Sequence, residues 1–495
     1  MRRVDPMTRR DYDLVIVGGG SAGQVAAPAA AALGARVALV DRERLGGECL
    51  WTGCVPSKSL IASATSAHQT RHLEALGLEG ALGPVTLGAV MDRVQSVIDR
   101  IYRTEDADAL RRRGVDVYLG HAAFRSPHEF VVEGQALRAR AFLLCTGSQP
   151  AAPPIPGLDT IDYLTNETIF DLRDLPGHLV VAGGGPAGVE MAQAFRRLGS
   201  RVTVLAGERG LLPREDADAS ALVARVFAQE GIAVERTRLT AVERAGDGIV
   251  ARHSGPDGAG VVRGDRLFVA LGRRPNVADL DLERAGVAYD AEKGITIDAY
   301  LRTSVPHILA CGDVTGPYQF THAAGFQAAA AVRNALLPLV KSKVRLEPMP
   351  WATFTDPEVA RVGLTEAEAR RTHGRVLVLR HHFAHVDRAE AAGQTTGFVK
   401  LIVTPWRGKI LGAHIVGPQA GELIQEVTLA MTRGLSVTAL AGAIHVYPTL
   451  AMAVQQAALG FYSQWPLTRL ARQPLRALVR RGPAPLRSGR DAEAR

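Results

Sequence analysis

Lysine is almost missing from this chain. Of its basic residues 52 are Arg and only 6 are Lys. Lys58 stands alone over the first 292 residues, and a compact ammonium in a chain that otherwise uses guanidinium points to a specific task. Cysteine is scarce as well: four in 495 residues exclude a disulfide-built scaffold. One close pair exists, Cys49 and Cys54, with no second Cys or His cluster nearby, so no resident metal is expected. No secretory leader is visible, which makes the cytoplasm the expected compartment. Long apolar runs are wanting too. The uncharged stretch 14–35 contains Gly18, Gly19, Gly20, Gly23 and Pro28, and reads as buried strand plus helix rather than a membrane segment. Finally, the body carries little net charge. Of the +8 total, +6 sits in residues 466–495, which hold eight Arg and two acids. A nearly neutral body gives no basic groove, so no nucleic-acid partner is expected. The tail, with Pro474, Pro483 and Pro485, reads as weakly ordered and solvated.

What is present is a globular composition, 47% apolar and 22% charged, in a chain long enough for about two to four domains. Residues 13–17 read as an apolar strand, followed by a Gly-rich turn, an Ala-rich helix and a second strand over 36–40: a βαβ unit. Pro28 lacks a donor N–H and should kink that helix. Residues 85–113 show helical periodicity, with Val90, Val94, Val97, Ile98 and Ile101 on one side. The Pro-rich stretch 149–157 reads as a crossing between domains. At 179 the strand–turn–helix–strand pattern repeats, an internal duplication of a nucleotide-binding unit. From about 347 the pattern changes to a separate α+β domain.

Gly18-x-Gly20-x-x-Gly23 follows a strand and opens a helix. Such glycines allow a tight turn and close backbone approach, and the helix N-terminus receives a pyrophosphate. Asp41 closes the second strand, placed for a ribose hydroxyl. Gly183-x-Gly185-x-x-Gly188 repeats the pattern, but Ala206 stands where the acid would be. With Arg209 and Arg214 nearby, that favours NADPH over NADH, although Glu208 sits beside Arg209. Two such sites suggest a flavin and a nicotinamide nucleotide.

In the run Gly46-Gly47-Glu48-Cys49-Leu50-Trp51-Thr52-Gly53-Cys54-Val55-Pro56-Ser57-Lys58 the cysteines are five residues apart. A regular helix would separate them by about 7.5 Å of rise alone. A disulfide spans about 4.4–6.8 Å between Cα atoms. A bond between them therefore needs an irregular turn, for which Gly53 is suited, and it would be strained and reducible. Trp51, between them, would narrow access. Cys145 and Cys311 lie in apolar strands and read as buried packing thiols.

These motifs together resemble the flavin-dependent pyridine nucleotide-disulfide oxidoreductases over about residues 11–465. The pattern is most similar to that of mercuric reductases. The resemblance implies an α/β fold: two Rossmann-like dinucleotide-binding domains plus a C-terminal α+β dimerisation domain. Its boundaries would be 11–155 and 276–346 for FAD, 156–275 for NAD(P), 347–465 for dimerisation, and 466–495 for an Arg-rich tail. It implies FAD, NAD(P)H, a redox-active Cys49–Cys54 disulfide, and a homodimer in which one subunit's C-terminal domain completes the other's site. Cys54 matches the thiol against the flavin and Cys49 the thiol that meets substrate. Lys58 matches a lysine beside the flavin, paired with Glu190. Gly47, Thr146, Gly147, Gly272, Asp313 and His322 match cofactor-side positions.

The chain departs from the disulfide reductases at His445-Val446-Tyr447-Pro448-Thr449-Leu450-Ala451-Met452. Those enzymes carry His where Tyr447 stands and Glu where Met452 stands. A phenol, with a pKa near ~10, is a poor base at neutral pH. Mercuric reductases resemble this chain in having the Tyr, but they also carry a C-terminal cysteine pair, and this tail has no cysteine. The expectation is electron transfer from NADPH through FAD and Cys49/Cys54 to a soft metal ion or a quinone, with Tyr447 lining the acceptor site. A dihydrolipoyl dehydrogenase-like disulfide reductase is the alternative.

Overall fold

The structure is a computed structural model that describes residues 11–151, 153–337 and 339–466. The tail expected over 466–495 lies, from residue 467, outside the described residues, as do residues 1–10. The chain divides into two compact units. One holds residues up to 214 together with 220–346, and the other holds 215–219 together with the residues from 347 onward.

The first unit is built on β1 (Tyr12–Val17). Leu14 and Ile16 face one buried cluster and Val15 and Val17 another, so both sheet faces are covered. β1 lies between β2 (Val37–Asp41) and the strand Gln135–Leu144, all parallel. Val115–Leu119 extends the sheet beyond β2, and Ile308–Ala310 extends it beyond Gln135–Leu144. This is the strand order of a doubly wound nucleotide-binding sheet. α1 (Ser21–Ala32) packs its buried Ala22, Ala26 and Ala30 in one cluster with Ala324, Ala328 and Ala331 of the helix Thr321–Leu336. Small side chains let the two helices lie close over the sheet. α1 runs on through Pro28 as one helix. Pro28 is only half-buried, and the carbonyl of Gln24 that loses its partner is on a half-exposed residue. The helical periodicity over 85–113 is carried by two helices, Leu87–Tyr102 and Ala107–Arg112. The first ends at Tyr102, and Asp106 caps the second by accepting from the Ala109 N–H at 2.7 Å.

The repeat is inserted into this unit. Ala233–Glu235, Arg201–Leu205, His178–Ala182 and Arg266–Val269 form a parallel sheet in that order. A three-stranded antiparallel sheet covers 238–264. The insert enters and leaves through one antiparallel ribbon, Ser148–Pro150 with Arg273–Pro275.

The second unit is a five-stranded antiparallel sheet in the order Pro350–Thr353, Glu358–Gly363, Ile410–Gly417, Phe398–Val403, Leu377–His382. The helices Ala420–Thr432 and Met452–Gln464 share its main core. One register row crosses all five strands: Trp351, Arg361, His414, Lys400, Arg380. The segment 215–219 supplies the counter-charges. Lys400 Nζ is 3.1 Å from Asp216, 3.0 Å from Asp218 and 2.8 Å from Glu366. The His414 ring sits 3.3 Å from Glu215 and 3.2 Å from Asp216. Lys400 is 2% exposed, yet its charge is kept: burial disfavours the ammonium, but the three carboxylates outweigh it and raise its pKa.

Candidate active site

Both glycine loops are shaped by contacts that only glycine tolerates. A Cβ on Gly23 would lie 2.0 Å from the carbonyl oxygen of Gly18, and one on Gly188 would lie 2.0 Å from that of Gly183. The third glycine of each motif thus lets a helix start directly against the preceding turn. The helices Ser21–Ala32 and Pro186–Leu198 have Gly20 and Gly185 at their N-caps, with no side chain capping their first N–H groups. Space is open beside Gly185, and also beside Gly147 and Gly272. Asp41 accepts from the Gly19 N–H at 2.7 Å at the end of β2. Two uncapped helix starts, each beside a glycine turn, fit the pyrophosphates of two dinucleotides.

The cysteine pair follows β2. The chain forms two helices here, α2 (Gly47–Trp51) and α3 (Cys54–Thr70), broken at Thr52 and Gly53. A Cβ on Gly53 would lie 3.0 Å from the Glu48 carbonyl oxygen, so glycine lets α3 turn back over α2. Cys49 and Cys54 stand as thiols in this structure, the reduced form of the redox pair that the resemblance implies. They are hydrogen-bonded to each other, and the bond is asymmetric in charge. The Cys49 S–H, together with the Thr321 hydroxyl 3.6 Å away and the Lys58 ammonium, lowers the Cys54 thiol to about 6 against the effect of burial. The same bond and burial raise Cys49. Trp51 does not stand over the pair. Its indole N–H donates to the Leu45 carbonyl at 2.7 Å, and its ring packs under Arg44 and beside Tyr102.

Lys58, one turn along α3, donates to Glu190 at 2.8 Å. Glu190 is buried on the helix that opens at the second glycine loop. The pair joins the dithiol helix to the inserted nucleotide unit.

A second network was invisible in the sequence. Glu48, beside Cys49, takes a two-pronged contact from Arg273, with one arm at 2.6 Å. Arg273 Nε donates to the Ser148 hydroxyl at 2.8 Å, which donates to Asp313 at 2.6 Å. Asn166 also donates to Glu48 at 2.7 Å. Burial pushes Glu48 up to about 7 even against the guanidinium, and raises Asp313 as well. Thr146 donates to the Asn276 carbonyl at 2.7 Å, fixing the turn that carries Gly147. His322 stacks on Phe320 at 5.3 Å.

In the second unit the Tyr447 hydroxyl is exposed and donates to Asp387 at 2.8 Å, and the carboxylate raises its pKa further. His445 is not alone: its Nε2 is 2.9 Å from Glu426 of the helix Ala420–Thr432. Sequence spacing offered no hint of either carboxylate, since each comes from a distant segment.

Two dinucleotide cradles, one on each parallel sheet, and a polarised dithiol define a redox enzyme that works with two nucleotides. The chain belongs to the pyridine nucleotide-disulphide oxidoreductases: that family's sequence profile matches residues 12–328, and the profile of the family's dimerisation domain matches 349–458. It is accordingly an FAD-containing, NAD(P)H-dependent oxidoreductase and a homodimer. It is 39% identical to a mercuric reductase of Streptomyces lividans, over 91% of this chain and 96% of that one. It is 34% identical to a dihydrolipoyl dehydrogenase of Thermus scotoductus, over 92% and 98%. Among solved structures, the HOCl-induced flavoprotein disulfide reductase RclA of Escherichia coli, as its Cu(II) complex, superposes with a TM-score of 0.82 at 28% identity, over 91% of this chain and 99% of that one. LpdA of Mycobacterium tuberculosis superposes at 0.83 with 30% identity, over 90% and 98%. Among the described residues no helix is long and apolar enough to cross a membrane.

Proposed function

We propose that this protein is an NADPH-preferring reductase whose Cys49/Cys54 dithiol serves a soft metal ion or a quinone. The observation that carries the reading is the polarised thiol pair on a chain with Tyr447 in place of the base that dithiol exchange needs. The flavin supplies two-electron exchange between the nicotinamide and the thiols. The chain's own residues do the rest. Gly18, Gly20, Gly23, Asp41, Gly47, Thr146, Gly147, Asp313 and His322 hold the flavin nucleotide in segments 11–155 and 276–346. Gly183, Gly185, Gly188 and Gly272 hold the nicotinamide nucleotide around 156–275. Lys58, anchored by Glu190, keeps a positive charge next to the Cys54 sulfur. Two sulfur ligands suit a thiophilic cation, and the Tyr447 phenol, contributed by the partner through the 347–465 domain, completes the acceptor site. The net reaction with mercuric ion is NADPH + Hg(II) → NADP+ + H+ + Hg(0). A quinone would take the same two electrons with two protons, from the thiols or from the flavin itself.

Support for NADPH comes from the edge of the second site. Ala206 follows the strand Arg201–Leu205, Glu208 is turned toward Arg238 at 3.3 Å, and Arg209 is exposed. Arg209→Gln should raise KM for NADPH more than for NADH. We place the enzyme in the cytoplasm, where a disulfide is expected to be a redox one rather than a permanent one.

The test is an anaerobic titration with NADPH and then NADH, followed by visible absorption. A long-wavelength thiolate–flavin band means that Cys54 receives the electrons, and acceptor screening starts with Hg(II). Bleaching without that band removes the dithiol from the path and makes quinones the leading acceptors. A second reading, a dihydrolipoyl dehydrogenase-like activity, is favoured by the His445–Glu426 pair, an imidazole held by a carboxylate. Turnover of dihydrolipoamide with NAD would support it.

A further inference from the structure

The two cysteines outside the active-site loop are not separate packing thiols. Their sulfurs lie 3.5 Å apart in the buried core although 166 residues separate them in the chain. The strands Gln135–Leu144 and Ile308–Ala310 are parallel neighbours whose last register pair is Leu144 with Ala310. Cys145 and Cys311 are the next residue on each, held by the bond from the Cys311 N–H to the Leu144 carbonyl at 3.0 Å. Adjacent strands run about 4.8 Å apart, inside the ~4.4–6.8 Å window of disulfide Cα atoms. Both side chains belong to the same buried cluster as Ala22, Ala26, Ala324 and Ala328.

We propose that Cys145 and Cys311 form a second oxidisable dithiol, which a small uncharged peroxide converts to a disulfide that ties the two cofactor-side loops together. Each cysteine is followed directly by one such loop, Thr146-Gly147 or Gly312-Asp313. The carbonyl of Cys145 lies directly under Gly18 of the first glycine motif, 2.3 Å from where a Cβ would stand. In the first step one sulfur attacks a peroxide oxygen, giving a sulfenic acid and one water. The second thiol then displaces the sulfenic oxygen as a second water and the S–S bond forms, so that both S–H protons leave in water and the peroxide takes the two electrons. Closure needs the sulfurs to move from 3.5 Å to bond length, about 2.05 Å. A bridging metal ion is the poorer occupant. Metal–sulfur bonds of about 2.3 Å in a straight S–metal–S unit would drive the sulfurs apart in a filled core. Among the described residues no third His, Cys, Asp or Glu is placed to help hold an ion. Burial raises the Cys145 thiol well above its ordinary range, so oxidation is slow beside that of Cys54.

The test is peptide mapping of the wild-type holoenzyme after long exposure to millimolar hydrogen peroxide. Free thiols are alkylated under denaturing conditions before digestion. The expected product is a peptide pair joined through Cys145 and Cys311, two hydrogens lighter than the reduced pair and released by a thiol reductant. Full recovery of both as alkylated thiols, separate sulfinic acids, or links from either to Cys49 or Cys54 would overturn the proposal. The tie itself is read from FAD loss on dialysis at high bromide. Oxidised wild type should lose FAD several-fold more slowly than reduced wild type, and Cys311→Ala should show no such difference. Equal loss rates in a wild-type sample that contains the cross-link would overturn the locking role while leaving the dithiol in place. An oxidation-dependent difference that persists in Cys311→Ala would assign it to Cys49 and Cys54 instead.

Discussion

The charge on Cys54 depends on its neighbour more than on any formal charge. The Cys49 S–H is the largest influence lowering its pKa, ahead of Thr321 and Lys58. Iodoacetamide should therefore alkylate Cys54 with a rate that rises through about pH 6 and levels off above it. In Cys49→Ala the midpoint should climb toward the ordinary thiol value near ~8.5. An unchanged midpoint would mean that Lys58 carries the effect. Lys58 and Glu190 can be tested in the same way. Lys58→Met leaves the Glu190 carboxylate buried without its ammonium, at a cost of about 1–3 kcal/mol in a urea melt. Glu190→Gln should cost less, because it removes the charge that needed the partner.

With the two glycine loops holding the two cofactors as proposed, single methyl groups should separate them. Gly23→Ala puts a Cβ 2.0 Å from the Gly18 carbonyl oxygen, so α1 must shift, and the purified protein should hold less FAD. Gly188→Ala repeats the clash in the insert, so FAD content should stay near normal while KM for NADPH rises severalfold. Loss of FAD in both variants would show that the two loops are not independent. At this scale the sequence was largely readable. Strand, glycine turn and helix are local patterns, and the break between Cys49 and Cys54 follows from one glycine. Helix ends were less readable, since the cap at Asp106 is a single side chain within a continuous apolar period. What no local pattern could reveal were pairings across distant segments. Arg273 meets Glu48 from 225 residues away, and Lys400 sits in a strand whose other residues are all apolar. Such contacts are set by register and chain crossing, which sequence spacing does not encode.

For the whole molecule, the buried row around Lys400 makes acid tolerance a property of the second unit. Burial alone would raise Asp218 and Glu366, but Lys400 with its Arg neighbours holds both below their usual range. Their stabilisation is present above the unfolded carboxylate values, near ~4, and is lost as pH falls through the lower folded values. Lys400 is raised, so its share is full below ~10.4 and is lost only as pH rises through its folded value. The melting temperature should fall on the acid side of ~4. Lys400→Met should cost about 3–5 kcal/mol at neutral pH, and mild acid should then stabilise the variant, because protonation relieves the unpaired carboxylates. The inserted repeat has a consequence in time rather than in energy. The strand Ile308–Ala310 pairs with one made long before it, and the chain between Cys145 and Cys311 spans 166 residues. At ~5–20 residues per second of synthesis, that interval is on the order of ten to thirty seconds. Throughout it the nascent sheet has an unfilled edge next to Gln135–Leu144. The ribosome must deliver the whole second nucleotide unit before the first can close, which gives chaperones a defined window at that edge.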